Sequence, residues 1–97
     1  MASAAFSGTA VIAVTGTAVQ LRSTGNTCSG GYVVAPLGNE FPVRLGPSTV
    51  TDDNTAATAG CPIVPGKDHP ITGGFEADIW YINGKAGDRV YFEFHAS

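Results

Sequence analysis

The sequence predicts an all-β protein, a small antiparallel β-sandwich or jelly-roll-like barrel of about seven or eight strands. Three observations carry this. Apolar residues alternate with period two, in Phe41, Val43 and Leu45 and again in Val90, Phe92 and Phe94. Turn-forming clusters of Gly, Pro, Asn and Asp recur at spacings near ten residues, the rhythm of short strands. No stretch longer than a single turn carries the helical period.

Each element follows from local chemistry. Residues 1–8 (MASAAFSG) are small and bury little, so they read as a flexible or partner-docked arm with Phe6 as its one anchor. Residues 9–97 read as a single β domain. Residues 10–14 suit a short strand, TGTAVQLRS (15–23) a second or continuing one, and TGNTCSGG breaks the chain. Tyr32, Val33 and Val34 form a strand that Pro36 ends or confines to an edge. Residues 41–45 alternate cleanly, with Pro42 again favouring an edge. Residues 48–51 suit a short strand, and DDNTAATAG has no apolar periodicity and reads as a surface loop. Ile63 and Val64 lie between two prolines, which limits them to a very short extended piece. TGG at 72–74 reads as a flexible joint. Residues 76–83 and 89–95 are the strongest strands, and NGKAGD between them reads as the turn of a hairpin. In that hairpin Ile79, Tyr81, Val90, Phe92 and Phe94, or the alternate parity, form the best-buried set.

Composition narrows the function classes. With 97 residues the chain buries roughly 60–65% of its unfolded surface, a modest core. Charged residues make up 13% of the sequence, about half the usual share, so much of the surface is neutral. The five basic residues, Arg22, Arg44, Lys67, Lys85 and Arg89, are scattered, which argues against a nucleic-acid footprint. No apolar run approaches the ~20 residues of a membrane-spanning helix. The N-terminal stretch lacks a positively charged start and is broken by Gly8 and Gly16, so it does not read as a signal peptide, and folding in a cytoplasm is the default expectation.

Candidate chemistry is sparse. Asp52, Asp53 and Asn54 supply oxygens for calcium but lack the alternating spacing of an EF-hand loop, and a solvated acidic turn is the plainer reading. Asp68 and His69 are a carboxylate–imidazole neighbour pair without a nucleophile motif beside them. Glu76 and Asp78 share a strand face, which more often marks solvation than a glycosidase pair. Cys28 and Cys61 have no zinc spacing with the two histidines; both a late disulfide and two small buried hydrophobes stay open. No catalytic residue, cofactor or metal site is assigned. Aromatics fall on both parities of the last two strands, and Trp80 and Tyr81 are the candidate groups for stacking on a sugar or a partner protein.

Four segments, GTAVQL (16–21), RLGPSTVT (44–51), CPIVPG (61–66) and DIWYINGKAGDRVYFEF (78–94), together resemble the small structural proteins of tailed-bacteriophage virions. The four segments are spread along residues 16–94, and DDNTAATAG is longer than the pattern implies. The resemblance implies a β-sandwich or jelly-roll-like capsid decoration (cement) protein, or a head or neck appendage, without catalytic residues. The expected partners are the major capsid protein or another virion protein, with self-association into a homo-oligomer, a trimer favoured. The location implied is the virion, after synthesis in the host cytoplasm. The other class that fits is a carbohydrate- or receptor-binding β-sandwich module of a fibre, neck or tail.

Overall fold

The computed structural model describes residues 5–51 and 60–96. They form eight strands: β1 (Ala5–Val11), β2 (Val19–Gln20), β3 (Thr27–Val34), β4 (Val43–Gly46), β5 (Cys61–Ile63), β6 (Asp68–Glu76), β7 (Tyr81–Asn83) and β8 (Arg89–Ala96). Two four-stranded antiparallel sheets result, ordered β1-β8-β3-β6 and β2-β7-β4-β5. Every connection between these strands except β4–β5 passes from one sheet to the other. That winding, in two packed four-stranded sheets, is a jelly roll.

Period-two alternation decides which side chains enter the gap between the sheets. From the first sheet come Ala10, Cys28, Val33, Ile71, Val90, Phe92 and Phe94; from the second come Val43, Leu45, Ile63 and Ile82. Phe94 sits at the centre, 4.9 Å from the Phe92 ring and 5.1 Å from that of Phe75, the latter edge-on.

Several sequence expectations are corrected. Residues 5–8 are not a free arm: they open β1, with Phe6 opposite Phe94 and Gly8 opposite Phe92. The small residues are what make this docking possible, because the Phe92 ring lies across Gly8 where a Cβ would stand 3.0 Å from it. Residues 1–4 lie outside the described residues. NGKAGD does not close a hairpin, since β7 and β8 belong to different sheets and the segment is a crossover. Of the two parities the sequence leaves open, β8 buries that of Val90, Phe92 and Phe94, whereas Ile79 is exposed in the turn before β7 and Tyr81 is half-buried. DDNTAATAG lies almost wholly outside the described residues, and with it Asp52, Asp53 and Asn54.

The TGG joint proves to be a bulge inside β6. Gly73 and Gly74 together face Ser29 alone, between the pairs Cys28–Phe75 and Gly30–Thr72. Gly73 adopts φ +83°, a left-handed conformation that glycine enters without a Cβ penalty. A second glycine is needed for space. A Cβ on Gly31 would press on the Glu93 carbonyl oxygen and stand 2.9 Å from the Phe94 Cα, both backbone atoms of the neighbouring strand. Gly31→Ala is therefore expected to push β3 from β8 and cost about 2 kcal/mol, a melting temperature lower by ~10 °C. An unchanged melting temperature in a thermal scan would contradict the close approach of these strands.

The two outer faces differ. On the second sheet Asn83 has outward parity yet is buried, because its side-chain amide donates to the carbonyls of Val50 (3.0 Å) and Gly16 (3.1 Å). Residues 47–51 thus fold back over that face. The first sheet carries exposed Tyr32 and Tyr91 on its outer face.

Candidate docking surface

Four connections meet at one end of the sandwich: 12–18, 35–42, 64–67 and 84–88. The strand registers place them there, since Val11 lies opposite Arg89, Val34 opposite Asp68, Val43 opposite Ile63 and Val19 opposite Ile82. Each loop projects an apolar side chain or a charge into solvent. Leu37 is 84% exposed, Val14 60%, Phe41 53% and Val64 52%, and Lys85 stands among them, its Nζ 5.2 Å from the Phe41 ring centroid and paired with Glu40. Isolated exposed apolar residues are ordinary; four on adjoining loops at one end form a surface suited to a partner.

The loops are held rather than loose. Asp88 is buried, and its carboxylate accepts the backbone N–H groups of Glu40 (2.9 Å) and Phe41 (3.1 Å). Asn39 is also buried; its side-chain amide donates to the Arg89 carbonyl (2.7 Å) and accepts from the Arg89 N–H (3.0 Å), imitating one rung of a β-ladder. Backbone bonds tie the remaining loops together, from Gly16 to Gly84, from Gly87 to Ile12, from Ala35 to Lys67 and from Gly66 to Ala35. The Thr15 hydroxyl accepts the Ala86 N–H at 2.9 Å. A surface fixed in this way loses little conformational entropy on binding.

The residues expected to contact a partner do not gather here. Phe6 is half-buried against the core, with the Arg22 guanidinium 4.3 Å from its ring centroid. Trp80 is half-buried, edge-on to Phe75 at 6.0 Å, and its indole N–H meets no acceptor among the described residues. Tyr81 lies on β7 between Gln20 and Gly46. The exposed aromatics are instead Phe41, Tyr32 and Tyr91. One signal in the sequence points toward the loop end: Leu37 in APLGN and Val64 in IVPG are apolar residues stranded among turn formers, with no strand partner to bury them.

A second constellation occupies the open face of the first sheet. The Tyr32 hydroxyl donates to Glu93 Oε2 (2.7 Å), and Glu93 Oε1 lies 3.8 Å from His95 Nε2. The tyrosine's pKa is raised, first by that hydrogen bond, then by the carboxylate's charge, then by desolvation. Tyr91 lies diagonal to Tyr32 on the same face.

Cys28 and Cys61 are free thiols, one buried and one exposed, so the disulfide left open by the sequence is not formed. Asp68 has outward parity and His69 inward parity on β6, and no nucleophilic hydroxyl is paired with either among the contacts described. Among the described residues no three His, Cys, Asp or Glu side chains gather to hold a metal ion, and no helix is long and apolar enough to cross a membrane. No family model matches the chain, and neither a curated protein nor a solved structure matches it.

Proposed function

We propose that the chain is a non-enzymatic structural protein of a tailed-bacteriophage virion, a decoration (cement) protein that docks on the head exterior through its loop end. The observation that carries this reading is the group Val14, Leu37, Phe41 and Val64, exposed on loops that buried Asp88 and Asn39 hold in place. The jelly roll and the resemblance of segments 16–21, 44–51, 61–66 and 78–94 to small virion proteins support it. A cement protein bridges neighbouring capsomers and adds favourable contacts that oppose the pressure of packaged DNA. It needs a rigid, neutral, apolar patch rather than a pocket. Homo-oligomerisation, as a trimer, presents several such patches at once, and avidity then multiplies weak individual contacts.

Leu37→Asp and Phe41→Ser test this reading. Both positions are exposed, so stability is expected to change by no more than about 0.5 kcal/mol. Co-sedimentation of the folded variants with cognate heads is expected to drop at least about tenfold, the effect of losing one well-placed apolar contact of ~1.4 kcal/mol. Wild-type pelleting by both variants would remove the loop end from the account.

The open face of the first sheet favours a second reading, a carbohydrate-binding module. Tyr32 and Tyr91 supply ring faces beside the polar groups of Glu93 and His95, the combination that stacks on and hydrogen-bonds a sugar. Glycan-array binding that is lost in Tyr32→Ala and Tyr91→Ala, with head binding absent, is the result expected under this reading.

A further inference from the structure

The rim between the sheets on the β5–β6 side holds a thiol and an imidazole in contact. Cys61 Sγ and His69 Nδ1 are 3.7 Å apart. The fold brings them together from the edge strands of opposite sheets. Cys61 shares its parity with buried Ile63, and His69 shares its parity with buried Ile71, so both side chains turn into the gap between the sheets. Cys61 lies opposite Leu45 and His69 opposite Val33, two core residues, which give the pair an apolar floor. Cys61 is nevertheless exposed, because β5 begins there at the rim. Each residue is followed by a proline, Pro62 and Pro70, and a residue before proline is confined to extended backbone. The two partners are thereby held in the conformation that makes them meet.

We propose that Cys61 and His69 form a thiol–imidazole pair that makes Cys61 the chain's site of covalent modification by thiol–disulfide exchange. The incoming compound is a disulfide, RS–SR, which is itself the oxidant. His69 Nδ1 accepts the thiol proton, with the ring's own hydrogen on Nε2. Cys61 Sγ attacks one sulfur of RS–SR; the new S–S bond forms as the old one breaks, and the departing RS⁻ takes the proton back from His69 as RSH. The products are Cys61–S–SR and one thiol, so atoms and electrons balance.

The one other titratable group with inward parity on the neighbouring strands is Cys28, which lies opposite Phe75, toward the other end of β6 from His69. Asp68 on β6 and Tyr32 on β3 have outward parity, Tyr32 bonded to Glu93. Arg44 on β4 also has outward parity and donates to the Gly60 carbonyl at 3.1 Å. Lys67 is exposed in the turn before β6. The second thiol is unsuited to the reaction: Cys28 is fully buried, its pKa raised by burial first, then by Glu76, against a smaller lowering by Arg22.

The magnitude follows from thiol chemistry. At pH 6.5 an unassisted cysteine, which ionises near pH 8.5, is about 1% thiolate. An imidazole that takes the proton as the sulfur attacks spares the reaction that prior ionisation, and a well-placed general base contributes about 100-fold or more. The 3.7 Å contact is longer than an ideal one, and the expected advantage at pH 6.5 is about tenfold.

The test is the rate of reaction of the whole chain with 5,5′-dithiobis(2-nitrobenzoate) from pH 5.5 to 9.5. One thiol per chain is expected to react under native conditions, and none in Cys61→Ser. His69→Gln, with circular dichroism unchanged, is expected to react about tenfold more slowly at pH 6.5 and to match the wild type above about pH 9, where an isolated thiol ionises unaided. Should His69→Gln fail to fold, Cys28→Ser, native and then unfolded in urea, makes the same comparison, with the native chain expected to be the faster at pH 6.5. Equal rates across the pH range for His69→Gln and wild type, a native rate no greater than the unfolded one, or modification found on Cys28 would each overturn the proposal.

Discussion

Phe94→Ala is expected to destabilise the chain by about 3–5 kcal/mol, the usual cost of emptying a fully buried aromatic site. Phe94 is 0% exposed and lies on β8, which with β3 is one of the two strands that have neighbours on both sides in the first sheet. It contacts two further rings, Phe75 and Phe92, and its Cα partners are Phe6 on β1 and Gly31 on β3. The site cannot collapse easily, because the backbone facing it at Gly31 is already as close as a missing side chain allows. A domain of this size has only a marginal reserve of stability, so the variant is expected to be largely unfolded near 37 °C. Denaturant unfolding checks it: the midpoint drops sharply with a similar slope. Phe92→Ala, 5% exposed and lying over Gly8, is expected to cost slightly less, since the edge strand β1 can move inward.

The second large effect is at Asp88. Its carboxylate is the acceptor for two backbone N–H groups, at Glu40 and Phe41, from a buried position. Asp88→Ala leaves both donors without their partner, and each such loss costs about 1–3 kcal/mol. We expect about 3 kcal/mol in total, with Asp88→Asn intermediate because its amide oxygen still accepts. This variant also separates stability from function. Residues 39–41 are fastened to the start of β8 by Asp88 and by the Asn39 amide, and Phe41 is on the candidate docking surface. At a temperature where Asp88→Asn is folded, its head binding is expected to fall along with local protection of the Glu40 and Phe41 amides in hydrogen exchange. Retained protection at those amides would show that another group holds the loop.

Local rules made much of this fold legible. The alternation of Val90, Phe92 and Phe94 marks β8 as a strand, because period two is a property of a few consecutive residues, while which of its two faces is buried depends on the sheet packed against it. Fold class and strand number followed from the same rhythm. What failed was non-local. Sheet membership of β7 depends on Arg44, Leu45 and Gly46 lying beside it, which nothing in NGKAGD records, so a crossover was read as a hairpin. The glycines of TGG have the chemistry of a joint and of a bulge alike, and only the partner residue Ser29 decides between them. Phe41 continues the alternation of Val43 and Leu45 in sequence, yet it lies outside β4, where Asp88 captures its N–H from 47 positions away. The candidate surface was hidden for the same reason. An apolar residue reads as core until a tertiary contact such as this one turns it outward, so nothing local separates exposed Phe41 from buried Val43 and Leu45.

A cryo-electron microscopy reconstruction of the virion head, at a resolution that traces strands, tests the proposed decoration role. The jelly roll is expected on the outer surface of the shell, repeated with the capsomers, with the end that carries Leu37 and Phe41 turned onto the capsid. A shell lacking this chain, or one that holds it by the open face of Tyr32 and Tyr91 with the loop end in solvent, would contradict it.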